Sequence, residues 1–369
     1  MTTVVVAGAL ANKPDSGGEA WVRLTWVRGL ADLGLEVRFV ESADVAADGP
    51  AVAWFDAVTD WAGLTGRATL LDGHGERLRG PDLTGVAEDG AALLDLSGSL
   101  TDRALLGAFR CRTYVDLDPG WTQLWDAAGL LGDALDHYDT HLTVGDAVSD
   151  CGLPLSGRRW EPVRPLVLLA DWQGGDPSLA GPLTTVGSWR SPSGTLPYEG
   201  RALGGKARSW RPLSDLPDRV PQDCTAVVAA HPADDDDLDR LRAGGWSLQP
   251  PSAVATPADY RAFVLGSGGE LSVAQELYVG TRCGWTSDRT AAYLASGRPA
   301  VVQDTGFSAA LRGSPALVAF NGCDDAVTAC RALVGACPQE LSAAARTLAA
   351  QVFSTRVVLP RVLDRLGVR

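Results

Sequence analysis

Strand-length apolar runs recur along this chain with helix-length stretches between them, and after one break the pattern starts afresh. Residues 3–7 form a β-branched run. A Gly-rich loop over residues 12–18 follows, then a stretch carrying Trp21, Leu24, Trp26, Val27 and Leu30 at helical spacing, closed by Gly34. Further strand-like runs lie at 37–40, 68–71, 91–96, 113–117 and 140–144, with helical stretches such as 101–109 and 121–131 between them. Strands joined by helix-length connections pair in parallel, so the first half predicts an α/β sheet.

Between residues 151 and 181 the texture changes: Pro154, Gly157, Pro162, Pro165, Gly174, Gly175 and Pro177 crowd a stretch without periodicity. The same grammar then resumes, with strands at 183–186, 225–230, 300–303 and 316–320. Helices are expected from 235, over 257–264 and 287–296, and from 324 onwards. The expected division is a first domain over 1–165, a linker over 166–182, a second domain over 183–345 and a C-terminal helical segment over 346–369. The expected architecture is two α/β domains facing across a cleft.

Composition excludes several functions. With 45 acidic against 32 basic side chains the formal net charge is −13, which opposes binding to nucleic acid or to an anionic membrane surface. No stretch approaches the roughly 18 apolar residues of a membrane span, and the first ten residues lack the basic start of an ordinary signal peptide. The seven cysteines are odd in number and scattered without a C-x-x-C pair. That predicts reduced thiols in a cytoplasm rather than a disulfide framework or zinc site. Only Lys13 and Lys206 are lysines; every other cation is arginine.

The most informative segment runs from Gly268 to Phe307. Ser287 or Asp288 is a good N-cap, so a helix begins there whose free N–H groups can face a cleft and attract an anion. Arg289 and Arg282 add charge-assisted donors for a phosphate. The turn Ser296-Gly297-Arg298-Pro299 leads into a buried strand that delivers Asp304 and Thr305 at its carboxyl edge, where open α/β sheets bind ligands. A diphosphate at the helix and a polyhydroxyl group at Asp304 and Thr305 would suit one elongated ligand.

This helix followed by A-S-G-R-P-A-V-V-Q-D-T-G-F resembles the donor-binding segment of GT-B glycosyltransferases. The loop Ser16-Gly17-Gly18-Glu19 before a long helix, and a second strand ending in F-V-E, resemble that fold's N-terminal domain. V-G-S-W-R, residues 186–190, is similar to its post-linker strand and loop. The resemblance implies two Rossmann-like domains facing across a cleft, the first binding an acceptor and the second a nucleotide sugar. It implies a donor site of Ser188, Trp189, Arg282, Trp285, Ser287, Asp288, Arg289, Asp304 and Thr305, with Gly17 and Gly18 in a phosphate loop. The partners it implies are a nucleoside-diphosphate sugar and a small-molecule acceptor such as a natural product, with no metal or other cofactor. Arg289→Ala is then expected to weaken nucleotide binding in a folded protein. Two features depart from the family: its Glu-x7-Glu pair falls on Gly284 and Ala292, and its phosphate-binding lysine has no counterpart, leaving Arg282 or Arg289 to serve.

Three candidates remain open for the base that would take a proton from the acceptor: Asp15, Glu19 and His74, each in a loop after a strand. Asp116-x-Asp118 at another strand end has the form of a metal-binding pair. Asp118 before Pro119, however, reads as a turn or helix cap that could line the acceptor side of the cleft, and no metal site is expected. A G-x-S-x-G elbow, a P-loop and a G-x-G-x-x-G after the first strand are all absent from the sequence. The alternatives are a phosphorylase or epimerase using the same site, and a non-catalytic accessory protein of the same fold.

Overall fold

Residues 3–191, 194–311 and 313–368 are described by the computed structural model. The apolar runs become the strands of two sheets. In the first, β1 (Thr3–Ala7) lies at the centre with Val4, Val5 and Val6 wholly buried. It pairs in parallel with β2 (Glu36–Ser42) on one side and β5 (Ala92–Leu96) on the other. The order is β4-β3-β2-β1-β5-β6-β7-β8, where β3 is Ala68–Leu71, β4 Arg77–Arg79, β6 Cys111–Asp116, β7 Thr140–Thr143 and β8 Trp160–Pro162. All pairings are parallel except β3 with β4.

The second sheet has the order β13-β12-β9-β14-β15-β16 and is parallel throughout. Here β9 is Leu183–Ser188, β12 Cys224–Ala229, β13 Ser247–Gln249, β14 Gly269–Ser272, β15 Ala300–Gln303 and β16 Leu317–Phe320. A hairpin of β10 (Leu196–Tyr198) and β11 (Arg201–Leu203) stands apart from it. The chain runs outward in one direction from β1 and β9, then returns to the far side at β5 and β14. Each sheet thus has a switch point at its carboxyl edge, the place where a parallel sheet leaves a crevice.

Several of these elements escape the sequence pattern. β4, β8, β13 and the β10–β11 hairpin are three residues each, too short to show a period. β14 is hidden by Glu270 and Ser272, polar residues on a strand whose every residue is buried. Among the described residues no helix is long and apolar enough to cross a membrane, and all seven cysteines are free.

The chain crosses between the domains twice. After β8 it passes over at Val167, and it returns at Ser354 into the last helix, Thr355–Arg365. The two crossings are bonded together: Val167 N–H donates to Phe353 O at 2.8 Å, and Thr355 N–H to Val167 O at 3.0 Å. The last helix packs on the Gly17–Asp32 helix, where Gly29 leaves room for Thr355 and Leu359. Leu359 is fully buried in the first domain's core with Val358 and Val362. Leu359→Ala should therefore destabilise the first domain by about 2–5 kcal/mol, as large-to-small core changes do, which urea unfolding followed by fluorescence would measure.

Candidate functional site

A cavity of about 590 Å³ lies between the carboxyl edges of the two sheets, within the roughly 300–1,000 Å³ range of small-molecule sites. Its first wall comes from the loops after β1, β6 and β7. The Glu41 carboxylate, at the end of β2 and fully buried, shapes the first of these loops. It accepts the N–H groups of Leu10, Ala11 and Asn12 at 2.7, 2.7 and 2.9 Å. The chain then enters the Gly17–Asp32 helix with Lys13, Asp15 and Glu19 on the cavity.

Gly17 and Gly18 also line the cavity, but packing explains why they are glycines. A Cβ on Gly17 would sit 2.2 Å from Thr256 O, and one on Gly18 would sit 2.9 Å from the Tyr260 ring. They let the first helix abut the second domain, where Trp21 Nε1–H donates to Pro257 O at 2.7 Å.

The β6 loop separates the two aspartates of Asp116-x-Asp118. Asp116 is fully buried and saturated: it accepts from Thr122 Oγ1, Gln123 Nε2, Thr143 Oγ1 and the Asp118 N–H at 2.7–3.0 Å. Asp118 instead opens onto the cavity. Its Oδ1 accepts the hydroxyl of Tyr278, from the second domain, at 2.7 Å. The protein packed around it, and the charge of Glu19, raise its carboxyl above the usual range against the pull of that bond. The two carboxylates do not converge on one point. Among the described residues no group of three or more His, Cys, Asp or Glu side chains is placed to hold a metal ion.

The second wall rests on a buried ion pair. Arg289, in the first turn of the Asp288–Ala295 helix, directs Nε to Glu270 of β14 at 2.7 Å and Nη2 to Ser272 Oγ at 2.8 Å. Its Nη1 donates to Val186 O at the end of β9. Burial disfavours the charge, but Glu270 holds the guanidinium protonated. Ser287 caps the helix, accepting the Arg289 N–H at 3.2 Å. Asp288 faces the cavity, its carboxyl pushed up to about 6 by burial and by Glu19 across the cleft.

Lys206, which follows the β10–β11 hairpin, points into the same corner. Its Nζ lies where a side chain on Gly187 would project, 2.5 Å from that Cβ position. Among the described residues this ammonium makes no hydrogen bond or ion pair. Burial, then the charge of Arg289, pushes it down to about 7. A cation held without a partner at the start of a helix is a prepared anion site.

Of the residues expected at the donor site, Ser188, Trp285, Ser287, Asp288 and Arg289 line the cavity, and Asp15 and Glu19 face them from the first domain. The other four, and the candidate base His74, lie elsewhere. Trp189 is buried in the second core against Trp210. Asp304 folds back on its own turn, accepting from the N–H groups of Gly306 and Ser308 and from Arg282 Nη2 at 3.3 Å. Arg282 is a helix C-cap with φ 52° and points away. Thr305 Oγ1 donates to Trp285 O at 2.6 Å, so this turn buttresses the cavity loop from behind. His74 is exposed in the turn after β3, its N–H bonded to Asp72, and lies outside the cavity lining.

Glu19 is at the cavity but suited to another role than base. Arg23 and Lys13 outweigh the effect of burial and hold its carboxyl below the usual range, leaving it little affinity for a proton. Sequence reasoning missed Lys206, Tyr278 and Gln275, and read Asp118 as a turn or cap residue with room to line the acceptor side of the cleft. A lysine after Gly204-Gly205, one of only two in a chain whose other cations are arginine, was the available signal for Lys206.

No protein-family model matches the chain, and no curated protein is similar to it in sequence. Its fold is shared with solved structures. HepE from Anabaena in complex with UDP and glucose superposes with a TM-score of 0.60 at 10% identity, covering 100% of both chains. An alpha-glucosyltransferase in complex with UDP and a 13-mer DNA containing an HMU base gives 0.62 at 9% identity, again over 100% of both. T4 phage BGT in complex with UDP and Mn2+ gives 0.53 at 8%, over 100% of both. The fold is of GT-B type: two Rossmann-like domains facing across a cleft.

The buried pair gives Arg289→Ala a cost in stability besides the weakened nucleotide binding expected from the sequence. Removing the guanidinium strands Glu270, which has no exposed surface, and should cost about 3–5 kcal/mol. A fall in the urea midpoint, present without any ligand, is the expected result.

Proposed function

We propose that this chain transfers a glycosyl group from a nucleoside-diphosphate sugar to a hydroxyl of a small acceptor. The observation that carries this reading is Lys206, unpaired beside the capped start of the Asp288–Ala295 helix, at the switch point of the second sheet. Lys206 and the helix N–H groups would neutralise the leaving diphosphate without a metal, as fixed charges aimed at developing charge. The shared fold with structures that hold UDP supports the choice of ligand.

The acceptor would lie on the first wall, where Leu117, Trp121, Trp125, Val144 and Leu166 make an apolar face. Such a face suits a small molecule with an apolar body, as in natural-product chemistry. One neighbour in fold is bound to DNA, but a net charge of −13 favours a small acceptor here. Closing the domains over both ligands would exclude the water that otherwise hydrolyses the donor. Free thiols throughout support a reducing, cytoplasmic setting.

A thermal-shift panel of UDP, dTDP, GDP, ADP and NAD, each with and without Mg²⁺, tests the reading. One nucleoside diphosphate should stabilise the protein without metal; silence from all of them would overturn the proposal. The response should also depend on pH. Lys206 loses its proton near 7 in the free protein, whereas a bound diphosphate favours the charged form. Binding above pH 7 therefore takes up a proton and weakens as pH rises, by at most about tenfold per unit. Lys206→Met should remove that slope and, at pH 6.5, weaken binding by the roughly 1.5–3 kcal/mol of a charge-assisted contact; titration calorimetry at several pH values reads both.

A further inference from the structure

Four carboxylates line the cavity, and only one has the placement a proton acceptor needs. Among the described residues the Asp15 carboxylate makes no hydrogen bond that would aim it, and Glu19 is held by Arg23 and Lys13. Asp288 belongs to the helix start that would receive the diphosphate, so it lies on the leaving-group side. Asp118 comes from the opposite domain, opens onto the cavity and adjoins the apolar acceptor face. Its Oδ1 is occupied by Tyr278, and among the described residues its Oδ2 accepts no hydrogen bond.

The bond to Oδ1 belongs to a chain that crosses the cleft twice. Trp121 Nε1–H, from the first domain, donates to Gln275 Oε1 at 3.0 Å. Gln275 Nε2–H donates to the Tyr278 hydroxyl oxygen at 3.0 Å, and that hydroxyl donates back to Asp118 at 2.7 Å. Trp285 stacks on the Tyr278 ring at 4.6 Å between centroids, fixing its plane. Gly120, with φ 88°, lets the helix carrying Tyr278 approach: a Cβ there would sit 2.6 Å from Leu277.

We infer that Asp118 is the general base of an inverting transfer, and that Tyr278 and Gln275 are positioning residues that aim it only when the two domains meet. The inference rests on the glycosyl-transfer reading above. In the step, Oδ2 of Asp118 takes the proton of the acceptor hydroxyl as its oxygen forms a bond to the anomeric carbon. The bond from that carbon to the diphosphate oxygen breaks on the opposite side, and its electron pair leaves with the diphosphate. Asp118 then returns the proton to water. One displacement across the cleft reverses the anomeric configuration, and it needs a base on the wall facing the diphosphate, which Asp118 supplies. The raised proton affinity of Asp118 agrees with this task.

Water can serve as the acceptor in the test, so no natural acceptor is required. The probes are UDP-glucose, dTDP-glucose, GDP-mannose and ADP-glucose, all α-linked, with the released sugar followed by proton NMR before it mutarotates. Wild type should release the β-anomer first. Asp118→Asn should keep the wild-type thermal shift with nucleotide and lose about 100-fold or more in sugar release. Tyr278→Phe should also keep the shift, lower the rate, and move the acid limb of the pH profile upward, because the hydroxyl it removes lowers the Asp118 pKa. A merely structural role for Tyr278 would reduce the rate without moving that limb. An α-anomer, or sugar release by Asp118→Asn equal to wild type, would overturn the inference while a surviving nucleotide shift left the functional reading standing. Loss of the shift in wild type itself would instead remove that reading.

Discussion

The second wall of the cleft depends on the charge pair between Glu270 and Arg289. Each ion would be unstable at that depth alone, and the guanidinium resolves this by spending its donors on Glu270, Ser272 and Val186. These three acceptors belong to β14 and β9, the two strands on either side of the switch point. One side chain therefore ties the start of the Asp288–Ala295 helix to both strands from whose ends the cavity opens. The geometry of the helix start, proposed above as an anion site, is thus set from beneath, by a cation with three of its five N–H donors bonded inside the second domain.

Much of the fold could be read because its signal is local and repeated. β1, β2, β3, β5, β6 and β7 are buried β-branched or leucine-rich runs separated by helical stretches, and such runs in a parallel sheet have few alternatives. β14 could not be read that way, because its polar residues pair with an arginine nineteen positions after Glu270. Pattern reasoning sees the charge at Glu270 but not its partner.

The site was legible at the level of segments and less so at single residues. The stretch from Trp285 to Arg289 reaches the cavity, as does the loop from Asp15 to Glu19. Asp304 and Thr305 do not, although they sit at a strand's carboxyl edge, because β15 is one strand removed from the switch point and its turn closes on itself. Lys206 and Tyr278 reach the site from elements whose placement is wholly tertiary. No spacing along the chain encodes that Tyr278 will meet Asp118, 160 residues earlier.

The paired crossings at Val167 and Ser354 bear on how such a cleft can open. A single linker would act as a string, leaving the domains free to twist as well as part. Two segments hydrogen-bonded side by side act as a strap, which bends readily across its width and resists torsion. Rotation about that one axis would swing the first wall away from Lys206 along a single arc and return it to the same register. Substrate entry would then be a motion with one degree of freedom, its closed end marked by the Tyr278 hydroxyl reaching Asp118.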